Sequence, residues 1–347
     1  MALDEYHHGV RVAEVNNGTR SIRTVATSII GLIATASDAD ATSFPLNTPI
    51  LITNIQSVIG KAGKLGTLKS SLQAIVDQTN TTVVVVRVDS AETEAEQSSL
   101  VIGTTTASGQ YTGLKALLTA KAKLGVTPRL IGAPGLDTQA VTTALASTAQ
   151  KLRAFAYAYA YGCGTKEEVV AYRESFAARE LMLIWPQFIH FNTETSQNEA
   201  ISPVAYALGL RAKIDNLTGW HKVISNVAVS GVVGISKDVW WDLQQTGTDA
   251  DYLNSNGITT LIREDGFRFW GSRTCDAEGL FPFENYTRTA QIIADTVAEA
   301  HMWAVDKPLH PSLASDLIEG IRAKLSDLTN NGYLMGGEAW YDETKNP

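Results

Sequence analysis

Residues 81–88 read TTVVVVRV, with four valines in succession. A β-branched run that does not alternate with polar residues predicts a strand buried on both faces. Such strands belong to parallel sheets covered by helices on either side. The flanking chain agrees. TSIIGLIATAS (27–37), PILITN (49–54), PRLIGAPG (128–135), AFAYAYAYG (154–162) and RELMLIWPQ (179–187) read as strands. GTLKSSLQAIVDQT (66–79), GLKALLTAKAKLG (113–125), TQAVTTALASTAQKLRA (138–154), KEEVVAYRESFAA (166–178) and SPVAYALGLRAKIDNLTG (202–219) read as helices. Strand and helix alternating at this rhythm predict βαβ units. The fold class is therefore α/β, a doubly wound, mostly parallel sheet over roughly 85–260. The polar stretch DSAETEAEQSS (89–99) reads as a loop.

Either end differs. Residues 1–20 are polar, with a short strand-like VRVAEV around Val10 and Val12. A lone strand cannot satisfy its own backbone, so this one needs a partner. Beyond 260, Asp265-Gly266 between two strand-like runs predicts a hairpin. Two helices follow. Tyr286, Ala290, Ile293, Val297, Ala300 and Ala304 mark the apolar face of the first, and Leu313, Leu317, Ile321, Leu325 and Leu328 that of the second. Gly332 ends the second, and YLMGGEAWYDE, containing Trp340, reads as a strand with an open edge. The expected divisions are an arm (1–20), an N-terminal α/β portion (21–90), the main α/β domain (91–260) and an α+β C-terminal domain (261–347).

Composition narrows the partners. The net charge is −8 over 347 residues, which disfavours nucleic acid as the main ligand. No apolar run approaches the roughly 20 residues needed to span a bilayer, so no membrane is expected. The start lacks a charged segment followed by an apolar one, so no signal peptide is read. Two cysteines, Cys163 and Cys275, indicate no disulfide framework and suit a reducing compartment.

Catalytic motifs are weak. GKAGKLGT (60–67) lacks the spacing of a phosphate loop and reads as a turn before a helix. GCGTKEE (162–168) reads as a loop with Thr165 and Glu168 forming a capping box. Cys163 beside that helix start is a conceivable nucleophile. The six histidines are scattered, with no metal-binding spacing, and no G-x-S-x-G is present. No cofactor, metal or catalytic residue is assigned. In TTLIREDGFRFWGSRTC (259–275), a two-residue turn would oppose Arg263 to Arg268 on one face, with Ile262, Phe267 and Phe269 on the other. Opposed guanidiniums call for a carboxylate, either within the chain or on a neighbour.

DGFRFWGSRT and ENYTRTAQIIADTVAEAHMWAVDK resemble the tail sheath proteins of contractile-tailed bacteriophages and the related R-type pyocins. So do YHHGVRVAEVNNGTRSI, FPLNTPILITN, GQYTGLKALL, PRLIGAPGLDT and QKLRAFAYAYAYGC, so the likeness runs from Tyr6 to Trp340. The resemblance implies a subtilisin-like topology without protease activity. It implies stacked hexameric rings around a tail tube, linked by terminal arms that add strands to a neighbour's sheet. It implies contraction that drives the tube through the host envelope, with baseplate and tail terminator proteins as partners. It places the protein in the virion tail, assembled in the host cytoplasm. Inter-subunit or interdomain candidates are Val10, Val12, Arg263, Arg268 and Trp340. Arg322 and Lys324 are candidates for tube contact. The family pattern continues past GEAWYDE with a further arm, so this chain by itself is expected to be a soluble monomer. The competing expectations are an α/β hydrolase-like enzyme, which needs a cleft of clustered titratable groups, and a monomeric binding module.

Overall fold

The computed structural model describes residues 22–308, 310–342 and 344. The expected arm strand with Val10 and Val12 lies outside them. The chain divides into a compact unit of Thr24–Asp295 and a second of Met1–Arg23 with Thr296–Pro347.

The first unit is built on one large sheet. Its strands are β1 (Ile30–Thr35), β2 (Ile50–Ile52), β3 (Val83–Val88), β4 (Leu130–Gly132), β5 (Phe155–Tyr159) and β6 (Leu181–Ile184). To these are added β9 (Ala228–Val229), β11 (Ile258–Arg263) and β12 (Phe267–Trp270). The order is β2-β3-β1-β4-β5-β6-β11-β12-β9. From β3 to β11 every neighbour is parallel, and β2, β12 and β9 pair antiparallel at the two ends. A smaller antiparallel sheet joins β7 (Phe188–Asn192), β8 (Gln197–Ile201) and β10 (Gly234–Ile235) in the order β10-β7-β8.

The valine run does what its pattern demands. All of β3 is buried; Val83 and Val85 join one core, and Val84, Val86 and Val88 the other. The first core is covered by α1 (Leu68–Gln78) and α7 (Pro203–Leu217). The second is covered by α2 (Glu94–Ile102), α3 (Gly113–Ala116) and α5 (Gln139–Leu152), with α4 (Ala120–Leu124) following α3. Helices on both faces are what a parallel sheet requires. Helices α6 (Lys166–Arg173) and α8 (Asp249–Ser255) enclose a satellite core with Val169, Trp185, Leu253 and Ile258. The capping box of Thr165 and Glu168 forms as expected.

Some expectations change. The sheet does not begin near 85; β1 and β2 belong to it, and β11 and β12 extend it past 260. Residues 94–102 are helix α2, not loop, because Thr93 caps it by accepting from the Glu96 amide at 3.3 Å. Its polarity hid it: only Ser98 and Val101 are buried. The β7–β8 hairpin is a further addition, whose second strand, β8, is largely exposed and carries no alternation.

Helix α9 (Glu284–Ala300) belongs to the first unit through Asp295, and in the second unit α10 (Pro311–Asn330) turns Leu313, Leu317, Ile321, Leu325 and Leu328 to its covered side. Gly332 follows with φ +77°, as a helix terminator should. Residues 333–342 form no strand. Within one chain they find no neighbouring strand among the described residues, and an unpaired strand has no ladder to stabilise it. They run instead beside α10, where Arg322 Nε donates to the Ala339 carbonyl at 2.7 Å.

Packing between α1 and α7 depends on Gly209. A Cβ there would lie 2.9 Å from both the Cα and the carbonyl oxygen of Ile75. Alanine has the better helix propensity, yet Gly209→Ala is expected to destabilise by about 1–3 kcal/mol because backbone must shift. Urea unfolding checks the sign; a more stable variant would refute the close-approach argument.

Candidate assembly surfaces

The hairpin of β11 and β12 differs from expectation by one residue. Arg263 pairs with Phe267, Ile262 with Arg268 and Leu261 with Phe269. Asp265 and Gly266 have φ of +47° and +97°, and the Glu264 amide turns inward to the Gly266 carbonyl at 2.8 Å. Glu264 therefore joins the loop and leaves the ladder. A one-residue slip exchanges faces. Leu261, Arg263, Phe267 and Phe269 now share one side, and Arg268 shares the other with Ile262. The two arginines are not opposed. Arg263 lies over the Phe267 ring at 5.5 Å. Arg268 donates to the Glu264 carbonyl at 2.7 Å and to the carbonyl and Oδ1 of Asn226 at 3.2 Å each. Among the described residues no carboxylate pairs with either.

Carboxylates meet buried arginines on α9 instead. Its residues Glu284, Thr287, Arg288, Gln291 and Asp295 recur at helical spacing and are all buried. Glu284 Oε1 meets Arg211 Nη1 at 3.3 Å and accepts from the Tyr157 hydroxyl, and Oε2 accepts from the Ile224 amide at 3.2 Å. Arg288 grips Asp215 with two bonds, at 2.7 and 2.5 Å. Asp215 also receives Arg211 Nη2 at 2.9 Å, one turn earlier on α7. The four charges sum to zero. Further along, Gln291 donates to the Ala154 carbonyl at 3.1 Å, and Asp295 is held by Arg129 and Arg153. Burial alone would push the Arg288 guanidinium down, but Asp215 outweighs it and the pKa rises. Burial first, then Glu284, pushes the Tyr157 phenol well up.

This inverts the expected orientation of α9. The stripe expected to be core is half-covered, and Tyr286 is 51% exposed. Its buried face, Ile292 apart, is polar over Glu284–Asp295. Spacing alone would have shown Glu284 and Arg288 as an ordinary surface pair; their partners Arg211, Asp215 and Tyr157 are 70 or more positions away.

Enzyme chemistry finds little support in the geometry. The amides of Lys64 and Leu65, which a phosphate would need, donate to the Asp38 carboxylate at 2.7 and 2.9 Å. Burial, and next Glu168, raises the Cys163 thiol above its usual range, and burial raises Cys275 to about 12, so neither is a ready thiolate. A cleft of about 720 Å³ lined by Asn47, Ala91, Ala95, Ser99, Leu100 and Glu96 holds one carboxylate and no base beside it. Among the described residues no cluster of His, Cys, Asp or Glu could hold a metal, and no helix is long and apolar enough to cross a membrane. Asp137 is a different case. It follows β4, is fully buried, accepts from the Tyr159 amide at 2.6 Å through Oδ2, and leaves Oδ1 without a partner. Burial raises its pKa to about 7.

The remaining candidates stand in the second unit. Arg322 is exposed and occupied with Ala339. Lys324 meets Asp327 at 3.2 Å, with its side chain 13% exposed. Trp340 is 69% exposed.

Asp215→Ala leaves the buried Arg288 guanidinium without its carboxylate and Arg211 with Glu284 alone, and should cost about 3–5 kcal/mol in urea unfolding; a loss below about 1 kcal/mol would refute the cluster's role. Asp137 binds its proton more tightly folded than unfolded, at about 7 against 3.8. Its contribution therefore favours folding least at high pH: stability should fall as pH rises from about 4 to about 7 and then level, by a few kcal/mol. Asp137→Asn, which resembles the protonated acid, should flatten that slope in thermal melts.

Comparison with known proteins gives the geometry its context. Three family models match consecutive parts of the chain. They are the tail sheath protein Gp18 domain III N-terminal region (27–88), the phage tail sheath protein central domain (109–275) and the phage tail sheath C-terminal domain (276–347). The tail sheath protein of Escherichia phage P2 is 58% identical over 99% of this chain and 88% of its own length. The major tail sheath protein of Serratia phage KSP20 is 55% identical over the same shares. In fold, the chain is similar to the helical sheath of the anti-feeding prophage in its contracted state. The TM-score is 0.70 at 18% identity, covering 95% of this chain and 86% of that one. It is likewise similar to the contracted sheath complex of the extracellular contractile injection system PVC, with a TM-score of 0.68 at 17% identity over 96% and 85%. With relatives this similar along nearly its whole length, the chain belongs to the phage tail sheath protein family.

Proposed function

We infer that this chain is a structural subunit of a contractile tail sheath and not an enzyme. The observation that carries it is the 58% identity to the phage P2 tail sheath protein over 99% of the chain. The physics fits a mechanical part. A parallel sheet with closed cores on both faces is rigid, so motion belongs at its contacts. Contraction is then a rigid-body exchange of one set of subunit contacts for another, with the extended array held kinetically.

The finer points are part of the same proposal. Subunits stack as hexameric rings around a tail tube, between a baseplate and a tail terminator, after assembly in the host cytoplasm. The α/β unit follows a subtilisin-like topology, and terminal arms carrying Val10, Val12 and Trp340 add strands to neighbours. Trp340, exposed in a segment without a strand of its own, suits that role. Arg263 and Arg268 remain interface candidates singly, since neither meets a carboxylate in the described chain. Arg322 and Lys324 on α10 are proposed on the tube side, polar because a grip that must release is better polar than apolar.

Deleting the gene from its tail cluster should leave bare tubes in negative-stain micrographs, and supplying it again should restore sheathed, contractile tails. Complete tails without the gene would overturn the reading.

A further inference from the structure

The segment between β10 and α8 presents large apolar side chains to solvent. Trp240 is 52% exposed and Leu243 is 73% exposed, and Tyr252 on α8 is 39% exposed. Single exposed apolar residues are ordinary, but this loop is held in place to present them. The Trp240 amide donates to Asp249 Oδ2 at 3.0 Å, and its carbonyl accepts from the Ala250 amide at 3.2 Å. Asp242 Oδ1 accepts from the amides of Gln244 and Gln245 at 2.8 and 2.7 Å. The Trp241 ring stands edge-on to Trp270 at 5.2 Å. Asp249 is itself paired with Lys166. A large aromatic fixed outward on an ordered loop is the form of an interface anchor, which loses little freedom on binding.

Its place in the sheet is defined. Lys166 opens α6 at the end of the short connection that follows β5, so the Lys166–Asp249 pair sets the loop toward the carboxyl ends of the parallel strands. Exposed Asp238, Asp242, Glu167 and Glu168 outweigh exposed Lys237 and give this end an acidic rim. At the amino ends of β4 and β5 the charge reverses. Exposed Lys123 closes α4 before β4, and exposed Lys151 closes α5 before β5, near half-buried Leu124 and Val126.

We propose that the Trp240–Leu243 loop of one copy docks on the Lys123 and Lys151 surface of a second copy of this chain. The two surfaces carry opposite charge and lie at opposite ends of one sheet. The contact is therefore heterologous: it cannot close a symmetric pair, and repetition extends it as a helical array. Rim charges of opposite sign set its register. The proposal rests on the sheath reading, which supplies the second copy.

The test introduces variants into the tail gene cluster that encodes this chain and counts sheathed tails by negative stain. Trp240→Ser with Leu243→Ser should reduce them on the order of tenfold or more, with an unchanged thermal melt of the purified chain. Asp238→Lys with Glu167→Lys should reduce them, as should Lys123→Glu with Lys151→Glu. The four substitutions together should restore assembly. Normal tails from the Trp240/Leu243 variant would overturn the proposal. Two defective charge variants without rescue in combination would overturn the pairing of these two surfaces. If the unaltered chain is absent from the tails, the sheath reading itself fails, and this contact with it.

Discussion

The cluster of Arg211, Asp215, Arg288 and Glu284 is the interaction on which the rest of the molecule depends. All four side chains are almost fully removed from water. Taking charges out of water is costly, and here each group meets an opposite partner in good geometry. An apolar seam between α9 and the sheet would tolerate small rotations of the helix. A bidentate arginine and a carboxylate with three donors do not. The cluster thus fixes the register of α9, and α9 is the segment through which the first unit continues into the second.

That arrangement suits a mechanical subunit. The two-sided core makes the α/β unit rigid, and the buried charges prevent the helix leaving it from slipping. The surfaces left for exchange are at the periphery: exposed Arg263 and half-buried Arg268 of the hairpin, the Trp240 loop, the lysines at the amino ends of the strands, and the aromatic residues near the C-terminal end. A subunit that changes neighbours without changing its own fold needs this division between interior and rim.

Legibility followed burial. Apart from two-residue β9, the strands of the large sheet and most of its helices are readable because their apolar periodicity reports directly on two covered faces. Segments that bury little are not. Helix α2 and strand β8 are mostly polar and open to solvent, so periodicity is silent there, although Thr93 and Glu96 carry a capping signal. The hairpin at Asp265 was placed correctly and misaligned by one residue, because the outcome turned on whether Glu264 pairs or folds into the loop. Hydropathy alone does not decide that.

The amino-acid sequence by itself determined the α/β class, the parallel sheet with its doubly covered valine strand, and, through extended likeness, the sheath family. These rest on patterns local to ten or twenty residues, or on identity along the whole chain. The tertiary structure alone decided which face of α9 looks inward, that Arg263 and Arg268 stand apart, and that Asp137 is buried with an unpartnered oxygen. The physical reason is shared. A charged or polar side chain reads as solvent-facing until a partner from far along the chain is brought beside it, and only the folded chain brings it there.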